Sequence, residues 1–104
     1  MYQKKELRIM TTDNTINEAI KMINSHDWYW MMVDYGYEAK YNAAKASMRS
    51  FVSLVKTIDN INVREALRNL WKLHYEHARN SINGHDTENY EGRKTELMNI
   101  ALAA

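Results

Sequence analysis

Apolar residues recur along most of this chain with a helical period, and the pattern divides it into four segments. In the first, Ile16, Ala19, Ile20 and Ile23 stand at i, i+3, i+4 and i+7, on one face of a helix. A helix is predicted from about Asp13 to Asn24. Thr12, Asp13 and Thr15 each suit its N-cap, and Thr15 with Glu18 fits a capping box. Asn24-Ser25-His26 reads as a short break.

The second segment runs from Asp27, a possible cap, to about Thr57. Spaced at 100° per residue, Trp30, Val33, Tyr37, Tyr41, Ala44, Met48, Phe51, Val55 and Ile58 form a continuous apolar stripe. Asp27, Asp34, Glu38, Lys45, Arg49 and Lys56 form a narrow polar one, acidic at its start and basic at its end, as the helix dipole favours. Gly36 interrupts the segment at a cost of ~1 kcal/mol relative to Ala, so a kink or break at Asp34–Gly36 is the main alternative. An aromatic strand over Trp28–Val33 is a weaker one, because no second strand is visible to pair with it. A second apolar stripe comprises Trp28, Met32, Tyr35, Ala39, Ala43, Ala46 and Val52. A helix apolar on two sides must be covered on both. Either this helix is central to a bundle or one stripe meets another chain.

Asp59-Asn60-Ile61-Asn62 reads as a tight connection, with Asn62 and Glu65 as the N-cap and N3 pair of a third helix. Val63, Ala66, Leu67, Leu70, Trp71, Ala78 and Ile82 form its apolar face, and Gly84 suits the C′ position that ends it. Asp86 or Thr87 starts a fourth helix to about Ala103, with Tyr90, Leu97, Met98, Ala101 and Leu102 inward. Short loops between long helices imply antiparallel neighbours. The expected fold is all-α, an up-and-down bundle of about four helices with a long central helix over 27–57. Residues 1–10 show no clean period and read as a frayed arm, with Met10 an alternative start.

Composition narrows the class further. A chain of 104 residues is expected to form one domain, 1–104, and a hydrophobic fraction of 45% argues against disorder throughout. With no Cys, disulfides and thiolate metal sites are excluded. No apolar run approaches the ~20 residues of a membrane helix, and MYQKKELRIM lacks the apolar core of a signal peptide. The expectation is a cytoplasmic protein without a membrane span.

Charge is unevenly placed although the net value is only +1. Residues 39–75 carry seven Lys and Arg against Asp59 and Glu65, a local balance of +5, while 1–38 and 76–104 each come to −2. Lys45, Arg49, Arg64, Arg68, Lys72 and Arg79 form a candidate polyanion-binding set, which makes nucleic acid a possible partner. No recognition-helix motif accompanies them.

Residues 28–37 hold Trp28, Tyr29, Trp30, Tyr35 and Tyr37, five of the chain's 11 aromatic residues. They could form a stacking platform or a ligand pocket, but they fall on stripes that continue into Ala, Met and Val, which reads as core or subunit interface. His74 and His77 have a spacing able to share a metal, yet no Glu-x-x-His pattern supplies the inward carboxylates of a bundle site. Asp27 and Asp34 could serve acid–base chemistry; their stripe reads more simply as a solvated face. Ser47, Ser50 and Ser53 have no evident base, and no phosphate loop, Gly-x-Ser-x-Gly elbow or His-Glu-x-x-His is present. No catalytic residue, cofactor or metal is therefore expected. The leading expectation is a non-enzymatic interaction, regulatory or accessory protein that self-associates. Its candidate interaction surface is Trp28, Met32, Tyr35 and Ala39.

Overall fold

A computed structural model of the chain describes residues 12–28 and 38–103. Four helices follow one another: α1, Thr12–Ser25; α2, Glu38–Val55; α3, Ile61–Ile82; and α4, Tyr90–Leu102. No strand occurs among the described residues. The fold is an all-α four-helix bundle, as the periodicity predicts.

Helix α1 buries Ile16, Ala19 and Ile23, three members of its predicted stripe, with Ile20 and Met22 packed at the edge of the core. The helix begins by Thr12, so Asp13 and Thr15 lie inside it rather than at its N-cap. At its other end the indole N–H of Trp28 donates to the Ile23 carbonyl at 3.2 Å. That bond satisfies one of the carbonyls a helix C-terminus leaves unpaired.

The long helix expected over 27–57 is present as α2 from Glu38 to Val55. Asp27 and Trp28 are not helical: the chain turns there, with Trp28 N–H donating to the His26 carbonyl at 3.1 Å. The remainder of that expected helix, 29–37, and the arm at 1–10 lie outside the described residues. Within α2 the main stripe behaves as expected. Ala44, Phe51 and Val55 are buried, as is Ile58 just beyond the helix, and Met48 packs beside them.

A turn at Lys56–Asn60 leads into α3. The N-cap is Asn60, not Asn62: its Oδ1 accepts from the backbone N–H groups of Asn62 at 2.9 Å and Val63 at 3.2 Å. Asn60 has the extended backbone (φ −72°, ψ 113°) that aims a cap side chain back at the first turn, whereas Asn62 is already helical. Val63, Ala66, Leu67, Leu70 and Trp71 are buried as predicted, and so is Leu73, which the predicted face omits. Ile82, predicted inward, is exposed at the end of the helix.

Gly84 ends α3 in the left-handed region (φ +75°). The His85 N–H reaches the Asn80 carbonyl at 2.8 Å and the Gly84 N–H reaches that of Ser81 at 3.2 Å, the paired bonds of a Schellman ending. Helix α4 begins at Tyr90 rather than at Asp86 or Thr87. The Thr87 hydroxyl is held instead by α3, accepting from Asn80 Nδ2 at 2.9 Å and lying 3.1 Å from His77 Nδ1. Chain reversal then sets α4 antiparallel to α3, tied by Arg93 to Glu76 at 3.1 Å. Ala101 is buried and Leu97 and Met98 are half-buried, but Leu102, predicted inward, is exposed.

Candidate functional site

A connected set of rings crosses the centre of the bundle. Phe51 from α2 stacks on Trp71 from α3, centroids 4.4 Å apart. Trp71 meets Trp28 at 4.6 Å and His26 at 4.6 Å. Trp28 lies over His74 at 5.8 Å, His74 meets Tyr90 edge-on at 5.9 Å, and Tyr90 stacks on His77 at 3.8 Å. The turn after α1 and the helices α2, α3 and α4 each contribute at least one ring. Favourable ring pairs add to the area they bury, so this is a packing framework first.

Trp28 was expected on an outward stripe, a placement that required a helix reaching back to Asp27. Because the chain turns at 26–28, the indole points into the chain's own core instead. Met32 and Tyr35 lie outside the described residues. Ala39 lies in α2, and its side chain is outside the described set.

His26 gives Ser47 a partner that sequence spacing did not show. Its Nδ1 lies 3.2 Å from the Ser47 hydroxyl, across 21 positions of chain. Burial pushes the imidazole below its ordinary value, opposed by the Asp27 carboxylate. The ring is therefore neutral near pH 7. Its Nε2 is buried without a hydrogen-bond partner among the described residues, so none of them orients the ring as the third group of a catalytic triad would. Asp27 is exposed at the turn, and Asp34 lies outside the described residues. A hollow of about 330 Å³ opens beside His26 between Ser25, Asp27, Lys40, Ala43 and Ser47.

The histidine pair of α3 divides its work. His77 is engaged by Thr87 and stacked by Tyr90. His74 sits lower than its ordinary value because of burial first, then the neighbouring Lys94 and His77 charges. Among the described residues no three His, Cys, Asp or Glu gather as a metal would require, and no helix is long and apolar enough to cross a membrane.

The cationic set is brought together in part. Arg68 and Lys72 on α3 stand beside Val52 on α2, at the rim of a notch of about 210 Å³ floored by Phe51 and Trp71. Arg64 turns back to donate to the Ile58 carbonyl at 3.2 Å, closing the α2–α3 corner. Arg68 pairs with Glu65 one turn away at 3.0 Å. Lys45 lies over the Tyr41 ring, 5.0 Å from its centroid. Arg49 lines a shallow groove of about 650 Å³ with Ala46, Ser50, Ser53, Leu54 and Thr57. Arg79 is exposed two turns beyond Lys72 near the end of α3, away from the notch.

That groove lies on the second side of α2. Ala43, Ala46 and Val52 of the second predicted stripe are exposed, while Ala44, Phe51 and Val55 are buried. Comparison with known proteins brings no relative: no family model matches the chain, and no curated protein or solved structure does.

Proposed function

We propose that this is a non-enzymatic protein that works by contact with another protein, most simply a second copy of itself, through the side of α2 turned away from the core. One observation carries the reading. Of the second α2 stripe, Ala43 and Ala46 are left exposed by the described residues on the side away from the core, and Val52 is exposed where α2 meets α3. Beside Ala46 the groove is walled by Ser50, Ser53 and Thr57, side chains small enough to let a neighbouring helix approach closely. Exposed apolar surface rimmed by polar groups marks contact sites on soluble proteins. A regulatory or accessory role follows from such a contact, and cytoplasmic placement accords with a chain free of cysteine.

Analytical ultracentrifugation over a concentration series tests this reading. The wild-type chain is expected to self-associate, and Ala46→Glu to weaken association at least tenfold, because a carboxylate is then buried against a neighbour. Ala46 is exposed, so the variant keeps the wild-type circular dichroism. A chain that stays monomeric at high concentration overturns self-association.

A second reading, a small nucleic-acid-associated protein, is favoured by one observation: cations of α3 flank an opening whose other wall is α2.

A further inference from the structure

We propose that the notch between α2 and α3 receives α4 of a second copy of this chain, with that copy's Ile100 in the notch and its Glu96 against Arg68 and Lys72. The inference rests on the self-association proposed above and places the contact at the α2–α3 notch, where Val52 of the second α2 stripe lies, rather than at Ala46.

The notch selects its occupant by chemistry. Its floor is the stacked Phe51–Trp71 pair, its wall is Val52, 40% exposed, and its space of about 210 Å³ suits one large aliphatic side chain. Such carbon surfaces offer nothing to the hydrogen-bonding edges of a nucleobase, which would be stripped of water on entry. Its rim is cationic. Lys72 has no ion-pair partner among the described residues, and Arg68 has the exposed Glu65 of its own helix, a tie of little strength. The fitting occupant therefore carries an aliphatic residue with a carboxylate one turn away.

The chain itself carries that arrangement. On α4, Ile100 is 42% exposed, and Glu96, also exposed, stands four positions before it on the same side of the helix. Glu96 has no ion-pair partner among the described residues. The charges of the wider segments agree: 39–75 balance at +5 and 76–104 at −2. The chain's own α4 does not line this notch. Helix α4 meets α3 further along, at Glu76 and His77, whereas the notch opens at Trp71 and Lys72, towards α2. The two patches differ, so the contact is heterologous, and each copy offers one notch and one α4.

That property supplies the test. Val52→Glu blocks the notch and Ile100→Glu blocks the inserted residue, both at exposed positions where folding is retained and checked by circular dichroism. Each variant alone is expected to sediment as a monomer. Mixed in equal amounts they form a pair of one copy each and nothing larger, because one intact notch meets one intact α4. Lys72→Glu is expected to weaken wild-type assembly about tenfold, and adding Glu96→Lys in the same chain to restore it. A mixture that remains monomeric overturns the inference, as does either single variant assembling like wild type. If Ala46→Glu abolishes assembly while Val52→Glu and Ile100→Glu leave it intact, self-association through α2 stands and this mode of contact falls. A monomeric wild-type chain removes both.

Discussion

His26 shows how much one side chain can hold in place. It leaves the end of α1, bonds Ser47 of α2 and lies against the rings of Trp28 and Trp71. Burial lowers its pKa below 6.5, and His74 is lowered in the same direction. The unfolded chain then binds more protons than the folded one as pH falls through 6.5. Stability from these two groups is complete above that value and is lost progressively below it. Thermal melts from pH 8 to 5 are expected to show a falling midpoint below about pH 6.5, shallower in His26→Gln. Imidazole titration by NMR reads the same effect directly; a folded-state pKa for His26 above 6.5 contradicts it. Neither the bond to Ser47 nor the cage of rings is legible in the sequence, because the partners stand 21 and 45 positions away. Spacing identifies a histidine, not what encloses it.

At the scale of the element, local chemistry was legible where one residue type fits one geometry. Gly84 is such a case: a left-handed turn at the end of α3 suits glycine and little else. The cap of α3 was less determined, since Asn60 and Asn62 have the same chemistry two positions apart and only the path of the incoming turn chooses between them. Asn60→Ala is expected to cost about 1 kcal/mol and Asn62→Ala less than about 0.5 kcal/mol, measured by urea unfolding. Equal losses would place the cap elsewhere. Leu73 was missed for a related reason. It lies three and four positions before Glu76 and His77, both of which meet α4. Helix α3 is thus covered on two sides, and its buried face is wider than the single stripe that periodicity suggests. Ile82 and Leu102 err the other way: both lie at helix ends, where none of the described elements covers them.

Over the whole molecule, the ring set joins the turn after α1 to the other three helices, and the positive charge collects where α2 and α3 meet. If that charge serves a polyanion, binding of single-stranded DNA at low ionic strength should fall steeply with added salt. The triple variant Arg68→Gln, Lys72→Gln, Arg49→Gln should flatten the dependence. No retardation of DNA or RNA at low salt disposes of the nucleic-acid reading and leaves the protein-contact one untouched.

Helical periodicity was enough to establish an all-α bundle, the order of its helices and most of the buried residues, because period and capping depend on neighbours within one or two turns. Which side of α2 stays open, where Trp28 turns, and which cations share a rim were settled only once distant segments packed together. An apolar stripe specifies that a surface must be covered; the covering partner is chosen by the geometry of everything else the chain has already buried.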